Sequence, residues 1–311
     1  MTKKIHFILP GGGVRGSFQA GFLYELLDKY SDSFEIYKVD GTSVGAINGI
    51  AAILNRMDIL KDIWLSIKNI NDFFGKWSTK PIVGQLYNLY AGFYNNGLYN
   101  NDLLQTLLEK NLTKSLETAD DALKKKYSCA VTNIKNARIE YVDGTQKDLF
   151  KYITASASPW IISNPISIND ILYTDGGLLE TYPTKNILTS TADLIIIVGF
   201  DQEIVRYIEP ECSNILVYLA SLIDIARFNS LNTLNIINYV KEGRCIPITN
   251  TMKCSFMDFT PEIIKDGFYH GVEAAEQFYK TYLEESTGES LDENAAKIVD
   301  KSADKSAELG L

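Results

Sequence analysis

Hydrophobic positions in the first fifty residues alternate between short apolar runs and helical repeats. Residues 5–9 form an apolar run that ends at a proline and three glycines, as expected for a buried strand entering a tight turn. Apolar residues then recur at helical spacing over 18–30, and residues 34–39 give a second strand. Small and apolar residues over 46–54 predict a second, tightly packed helix. This repeated strand-turn-helix pattern predicts a parallel sheet.

The rest of the chain continues the mixture of strands and helices. A helical pattern extends over 58–109, with a turn at 95–97, and residues 147–155 predict a short helix. Further strands are predicted at 127–133, 138–143, 166–168, 171–173 and 193–200, and long helices at 214–240 and 261–283. The stretch from 284 is polar, with few large apolar residues. We therefore predict one domain over 1–283 and a polar C-terminal tail, mobile or loosely helical, over 284–311.

Charge and cysteine usage restrict the partners. The net charge of −9 disfavours nucleic acid and anionic membranes, so contact with a peripheral membrane surface would have to use a local apolar patch. The four cysteines, at 129, 212, 245 and 254, form no Cys-x-x-Cys pair and suggest free thiols in a reducing compartment. We find neither a signal-peptide core nor an apolar run of spanning length, and we expect a cytoplasmic protein.

A candidate nucleophile follows the second predicted strand. Gly41, Ser43 and Gly45 match Gly-x-Ser-x-Gly between a strand and a helix, which is the context this motif requires. The sharp turn needs glycine on both sides of the serine, and the helix dipole favours negative charge at its hydroxyl. The alternative is an ordinary glycine turn with the serine as helix N-cap.

A glycine-rich loop follows the first predicted strand. Its backbone N–H groups suit either an oxyanion hole or a dinucleotide phosphate, since Gly-x-Gly-x-x-Gly also fits and Asp40 ends the next strand. A simple tight turn is the third alternative. Because both turns open at the carboxyl edge of one parallel sheet, we favour an oxyanion hole beside Ser43. Its candidate residues are Gly11, Gly12, Gly13, Arg15 and Gly16.

The base must be a carboxylate or one of only two histidines. The order Ser43, Asp175, His270 fits an α/β-hydrolase triad, but Ser43 follows only two strands and His270 lies within a predicted helix. His6 precedes most of the first strand, and we interpret both histidines as structural. Asp175 follows a short strand and is itself followed by Gly176 and Gly177, which allow close backbone approach.

These motifs together resemble those of the patatin-like phospholipases. The resemblance rests on Gly-Gly-Gly-x-Arg-Gly, Gly-x-Ser-x-Gly, Asp-Gly-Gly and the segment 155–159, which is similar to the family's Ala-Ser-x-x-Pro; they fall within residues 5–200. It implies a three-layer α/β/α sandwich with a mainly parallel sheet and metal-free hydrolysis of lipid acyl esters by a Ser-Asp dyad. By the same resemblance, Ser43 is the nucleophile, Asp175 the base, and Gly12 and Gly13 the oxyanion donors, with Arg15 supporting their loop. An asparagine that often follows the family's Asp-Gly-Gly is missing from 178–183.

The expected function is thus a lipid acyl hydrolase that uses no cofactor and no metal, with lipid or another acyl ester as substrate and no nucleic acid partner. Two alternatives stay open: a nucleotide-binding protein that uses residues 11–16, and a catalytically inactive interaction module of the same fold. Aromatic residues are dense over 64–99. Phe74 and Trp77 fall on a predicted loop and could form a membrane-facing lid, although most of these rings are expected in the core.

Overall fold

The fold is built on a mainly parallel sheet, which a computed structural model describes over residues 2–75, 97–200, 222–223, 225–226, 230–250 and 252–284. The strands are β1 Lys3–Leu9, β2 Phe34–Thr42, β3 Gly97–Tyr99, β4 Tyr127–Asn133, β5 Arg138–Asp143, β6 Ile161–Ser163, β7 Ile166–Ile168, β8 Ile171–Asp175, β9 Leu194–Phe200 and β10 Ile246–Thr249. The helices are α1 Gly16–Lys29, α2 Val44–Ile53, α3 Met57–Ser66, α4 Asp102–Thr118, α5 Asp121–Lys125, α6 Leu149–Ser156, α7 Leu231–Lys241 and α8 Pro261–Phe278, which continues into a π-helical turn over Tyr279–Leu283.

The order of the strands brings the chain segments of the site together. The main sheet runs β10-β9-β1-β2-β4-β8-β7, with β5 also paired to β4. The pairs from β10 to β4 are parallel, whereas β8 is antiparallel to β4 and places Asp175 opposite Val131. The carboxyl ends of β1 and β2 therefore lie at one edge of the sheet, and β8 runs back along the last residues of β4, which brings Asp175 level with the end of β2.

Helices cover both faces of this sheet. Alternate residues of β1 point to opposite sides because the side-chain period of a strand is two. Phe7 belongs to the larger core with α1, α2, α3 and α8, whereas Ile8 packs in a second core with Ile197 and with Ile236 of α7. Burial on both faces explains the continuous apolar runs of the central strands. The three-layer α/β/α prediction is confirmed.

One prediction from the sequence pattern needs correction, and one strand was not predicted. The helical pattern over 58–109 is interrupted by β3, which pairs in parallel with β6 in a separate two-stranded sheet. The sequence also failed to indicate β10, which extends the main sheet beyond β9. Of the long helix predicted at 214–240, the structure describes α7, and residues 214–221 lie outside the described part of the chain. The proposed tail from 285 onward also lies outside it.

Candidate active site

Ser43 is the single residue between the end of β2 and the start of α2. Its backbone, with φ 57° and ψ −126°, is rare for a residue other than glycine and costs about 1–3 kcal/mol. A Cβ at Gly41 would lie 2.4 Å from the carbonyl oxygen of Gly45, and a Cβ at Gly45 would lie 2.1 Å from that of Leu9. The two glycines therefore make room for the sharp turn that puts Ser43 at the start of a helix.

The Ser43 hydroxyl is hydrogen-bonded to Asp175. Its Oγ donates to Oδ2 of Asp175 over 2.7 Å, and the other carboxylate oxygen, Oδ1, accepts the N–H of Gly177 over 2.6 Å. Both side chains are largely buried, with 9% exposure for Ser43 and 6% for Asp175. At Gly176 a Cβ would lie 2.3 Å from the carbonyl oxygen of Ala130, so a larger residue would displace the aspartate from β4.

Ser156 holds the backbone of the strained turn. The Ser43 N–H donates to Ser156 Oγ over 2.9 Å, and that hydroxyl donates to the carbonyl oxygen of Ala130 over 2.7 Å. Ser156 is fully buried at the end of α6. In the sequence, Ser156 stood out only as part of the segment 155–159, whereas in the structure it accepts a hydrogen bond from the backbone of Ser43.

Buried side chains and backbone groups also hold the backbone of Asp175. The Asp175 N–H donates to the carbonyl oxygen of Ser158 over 3.0 Å, and the Asp175 carbonyl oxygen accepts the hydroxyl of Thr132 over 2.9 Å. Ser158 in turn accepts an N–H from the side chain of Asn101, over 2.9 Å, just before α4. Sequence reasoning missed Asn101, because no local pattern links it to a site more than fifty residues away.

The segment that lacks the family's asparagine is anchored through Glu180. The Glu180 N–H donates to the carbonyl oxygen of Gly176, and its own carbonyl oxygen accepts the hydroxyl of Thr42 over 3.1 Å. Its carboxylate accepts hydrogen bonds from Tyr141 and Thr184. These contacts tie the loop after Asp175 to the end of β2.

The glycine loop lies beside Ser43, as its place at the same sheet edge predicted. Gly11, Gly12 and Gly13 line the same cavity as Ser43. The N–H of Gly11 donates to the carbonyl oxygen of Thr181, which ties the start of the glycine loop to the segment after Asp175. Within the described residues, the N–H groups of Gly12 and Gly13 have no protein acceptor.

Arg15 and Gly16 follow the part of the loop that lines the cavity and pack against its other side. The buried Arg15 side chain donates from Nη2 to the carbonyl oxygen of Cys254 over 2.9 Å. A Cβ at Gly16 would lie 2.7 Å from the side chain of Val44. Arg15 thus fixes the loop to the segment 252–259, which the sequence had not connected to the site.

The segment 252–259 also explains why position 13 must be a glycine. This glycine has φ +57°, and a Cβ there would lie 2.1 Å from the carbonyl oxygen of Phe256. That carbonyl accepts the N–H of Val14 over 2.9 Å. Any side chain at position 13 would therefore push the glycine loop away from the segment behind it.

A cavity with a mostly apolar wall opens in front of Ser43 and Asp175. Among the described residues, Ser43, Asp175 and the glycine loop contribute the polar groups of its wall, and the rest of that wall is mostly apolar. That wall includes Phe73, Phe74, Pro159, Trp160, Leu178, Ile223, Phe256, Met257 and Phe259.

The Phe74 side chain lines this cavity and is buried. It is 4% exposed, and its ring centroid lies 4.9 Å from that of Phe73 and 6.1 Å from that of Tyr99. The expectation that Phe74 faces a membrane is therefore wrong, because its neighbours cover it. Trp77 lies outside the described residues.

Neither histidine belongs to the cavity. His6 is fully buried, with Nε2 2.9 Å from Asp40 Oδ2 and Nδ1 3.0 Å from the hydroxyl of Ser190. His270 lies on α8, with Nδ1 3.4 Å from Asp266. The burial of Asp40 also removes the residue that a dinucleotide site would need for the ribose.

The described residues contain no group of three or more His, Cys, Asp or Glu side chains placed to hold a metal ion. None of the helices in the described ranges has the length and apolar character to cross a membrane.

An α/β sheet that carries a serine on such a strand-to-helix turn has the architecture of serine hydrolases. Comparison with protein families makes the assignment more specific, because the patatin-like phospholipase family matches residues 7–188. The match covers more than half of the chain, which therefore belongs to this family. The family as a class comprises lipid acyl hydrolases.

Individual relatives are distant. The uncharacterized protein YjjU of Escherichia coli is 26% identical over 199 residues, which are 63% of this chain and 51% of YjjU. An uncharacterized protein of Acanthamoeba polyphaga mimivirus is 26% identical over 182 residues, 56% of this chain and 58% of that protein. The chain thus matches little more than half the length of these relatives. The crystal structure of VipD from Legionella pneumophila covers 90% of this chain and 67% of its own, with a TM-score of 0.49 and 12% identity.

Proposed function

We propose that this protein hydrolyses acyl esters of lipids with Ser43 as nucleophile and Asp175 as the only general base. The observation that carries the proposal is the 2.7 Å hydrogen bond from Ser43 Oγ to Asp175 Oδ2 at the end of an apolar cavity. Two residues suffice if the carboxylate takes the hydroxyl proton directly. Neither histidine lines the cavity, which favours a dyad over a triad.

In the first step, Ser43 Oγ attacks the ester carbonyl carbon and its proton passes to Asp175 Oδ2. The carbonyl π electrons move onto oxygen and give a tetrahedral oxyanion. When this intermediate collapses, the bond to the alcohol oxygen breaks, and Asp175 returns the proton to the leaving group. The products of this step are a free alcohol and an acyl ester of Ser43.

A carboxylate with an ordinary pKa near 3.9 is a weak base for a serine hydroxyl. Much of the stabilisation must therefore fall on groups that bind the oxyanion. The N–H groups of Gly12 and Gly13 are the candidates, because they line the cavity and have no acceptor among the described residues. The N-terminal end of α2 adds a favourable dipole at Ser43.

Hydrolysis of the acyl-enzyme repeats this chemistry with water. Asp175 takes a proton from the water as its oxygen attacks the acyl carbon, and a second oxyanion forms at the same donors. Collapse breaks the bond to Ser43 Oγ, which recovers the proton from Asp175. A carboxylic acid leaves and the dyad returns to its starting state.

We further propose that the substrate is reached at a lipid surface. Leu178 and Ile223 line the cavity, and near them in the chain lie large apolar side chains that are at least 40% exposed. Asn232, near the start of α7, exchanges hydrogen bonds with the backbone of Tyr182, which connects α7 to the segment that follows Leu178. We define the exposed apolar rim as the exposed large apolar side chains of these three segments: Leu178, Leu179, Leu222, Ile225, Leu231 and Leu234.

A fluorophosphonate probe tests the catalytic proposal, because it reacts only with an activated serine. We expect one adduct per chain, located at Ser43 by peptide mass spectrometry, and none in Ser43→Ala. His270→Ala is the matched control and should label as the unmodified protein does. Absence of labelling in the folded protein would instead favour a non-catalytic interaction module, and an adduct at another serine would refute the assignment.

A further inference from the structure

Asn48 is the only polar side chain of α2, the helix that begins directly after Ser43. It is fully buried, and Gln19 on the neighbouring helix α1 is 3% exposed. Burying a side-chain amide is costly unless its hydrogen-bonding groups find partners, whereas an apolar side chain would fill the same space at less cost. These two positions therefore favour a role that an apolar side chain would not serve.

The two amides belong to one continuous chain of hydrogen bonds. Trp64 Nε1 donates to Asn48 Oδ1 over 3.0 Å, and Asn48 Nδ2 donates to Gln19 Oε1 over 3.1 Å. Gln19 Nε2 then donates to the carbonyl oxygen of Pro10 over 2.8 Å. An indole N–H can only donate and a carbonyl oxygen can only accept, so the two ends of the chain fix the orientation of both amides.

Asn48 reaches both ends of the glycine loop. Its Nδ2 also donates to the carbonyl oxygen of Gly16 over 2.9 Å. Pro10 immediately precedes the loop and Gly16 ends it, so one end is held by Asn48 directly and the other through Gln19. The candidate oxyanion donors, the N–H groups of residues 12 and 13, lie between these two ends.

Other hydrogen bonds hold the same loop to parts of the chain outside α2. The Gly11 N–H donates to Thr181, and Val14 and Arg15 donate to carbonyl oxygens of the segment 252–259. Among the described hydrogen bonds, those of Asn48 are therefore the ones that tie the loop to the helix of the nucleophile.

We propose that Asn48 is a positioning residue that holds the glycine loop at a fixed place relative to Ser43, and that Gln19 extends this hold to the start of the loop. This inference rests on the proposed acyl hydrolysis, and Asn48 acts without touching the substrate. Oxyanion donors are effective only when they lie about 3 Å from the oxygen that becomes charged. Releasing the loop therefore weakens binding of the transition state and leaves the apolar wall of the cavity in place.

The first experiment removes these hydrogen bonds without adding volume. Asn48→Leu is the variant, and Tyr127→Phe is the matched control, because the fully buried Tyr127 hydroxyl donates to the carbonyl oxygen of Ala46 on the same helix. For p-nitrophenyl butanoate we expect kcat to fall at least tenfold in Asn48→Leu, with KM within twofold. Both constants should stay within twofold in Tyr127→Phe. Equal kcat in the two variants, or a loss that appeared in KM alone, would overturn the proposal.

A second variant keeps the proposal testable if Asn48→Leu does not fold. Gln19→Met removes the branch to Pro10 and leaves the hydrogen bond from Asn48 to Gly16. We expect kcat to fall at least threefold with KM unchanged. A folded Gln19→Met protein with the unmodified protein's kcat would overturn the proposed hold on the start of the loop.

The third experiment needs no catalysis and so separates this inference from the proposed function. Amide hydrogen exchange is measured by mass spectrometry on peptides that cover residues 10–16, where the N–H groups of Gly11, Val14 and Arg15 are hydrogen-bonded. Their exchange should become at least tenfold faster in Asn48→Leu and should not change in Tyr127→Phe. If the protein hydrolysed no ester but this difference held, the positioning of the loop would stand and the hydrolase would fall. Equal exchange in the two variants would refute the role of Asn48.

Discussion

Ser156→Ala removes the hydroxyl that holds the strained backbone of Ser43. The substitution leaves the Ser43 N–H without its acceptor and removes one donor from the carbonyl oxygen of Ala130. A buried N–H without a partner costs about 1–3 kcal/mol, and a lost hydrogen bond about 1 kcal/mol. We therefore expect the free energy of unfolding to fall by about 3 kcal/mol.

Activity should fall as well, because the backbone conformation of Ser43 is unfavourable and needs support. Without the Ser156 hydroxyl the turn can relax, which moves Oγ away from Asp175. A displacement of this kind costs about tenfold to a hundredfold in rate. The loss should appear in kcat more than in KM, since the apolar walls proposed to bind the acyl chain are unchanged.

Ser17→Ala is the matched control. Ser17 is also fully buried, but its hydroxyl makes only a weak contact with the sulfur of Met252, at 3.7 Å. Its loss should cost about 1 kcal/mol or less and leave kcat within twofold. Urea unfolding and hydrolysis of p-nitrophenyl butanoate measure both quantities. Equal losses in the two variants would show that Ser156 contributes only as a buried serine.

The exposed rim and the buried thiols give two further predictions. Replacing Leu231 and Leu234 by serine should reduce binding to neutral vesicles at least tenfold in a sedimentation assay, with little dependence on salt; an equal reduction by the exposed control Leu188→Ser would argue against a localised rim. Burial raises the pKa of the Cys129 and Cys245 thiols to about 12, so both stay protonated at pH 8. Mass spectrometry after iodoacetamide treatment should find them unmodified in the folded protein and alkylated in urea, and rapid modification of the folded protein would contradict their burial.

The site's central residues could be found from the sequence because their constraints are local. The turn at Ser43 requires glycines within two positions, and strand-helix alternation places Gly11 and Ser43 at one sheet edge. Asp175 was recognised by its two following glycines. Local chemistry of this kind is visible in a short window of sequence.

The supporting residues could not be found in this way, because their contacts join distant parts of the chain. Arg15 binds the carbonyl oxygen of Cys254, 239 positions later, and Asn101 reaches Ser158 across 57 positions. No periodicity records such a pairing. The strand over Gly97–Tyr99 was missed for the same reason, because its three residues are extended only by pairing with β6. The sequence placed Phe74 on an exposed loop because polar residues flank it, and its contacts with Phe73 and Tyr99 are visible only in the structure.

The most direct test of the dyad is the rate of ester hydrolysis in Ser43→Ala, Asp175→Asn and the double variant. If the two side chains act as one unit, each single change should lower kcat by several orders of magnitude, and the double variant should be little worse than either. Circular dichroism and urea unfolding would verify that all three proteins are folded. The account predicts near-equal, non-additive losses. A folded Asp175→Asn protein that kept a tenth or more of the activity, or losses that multiplied in the double variant, would contradict it.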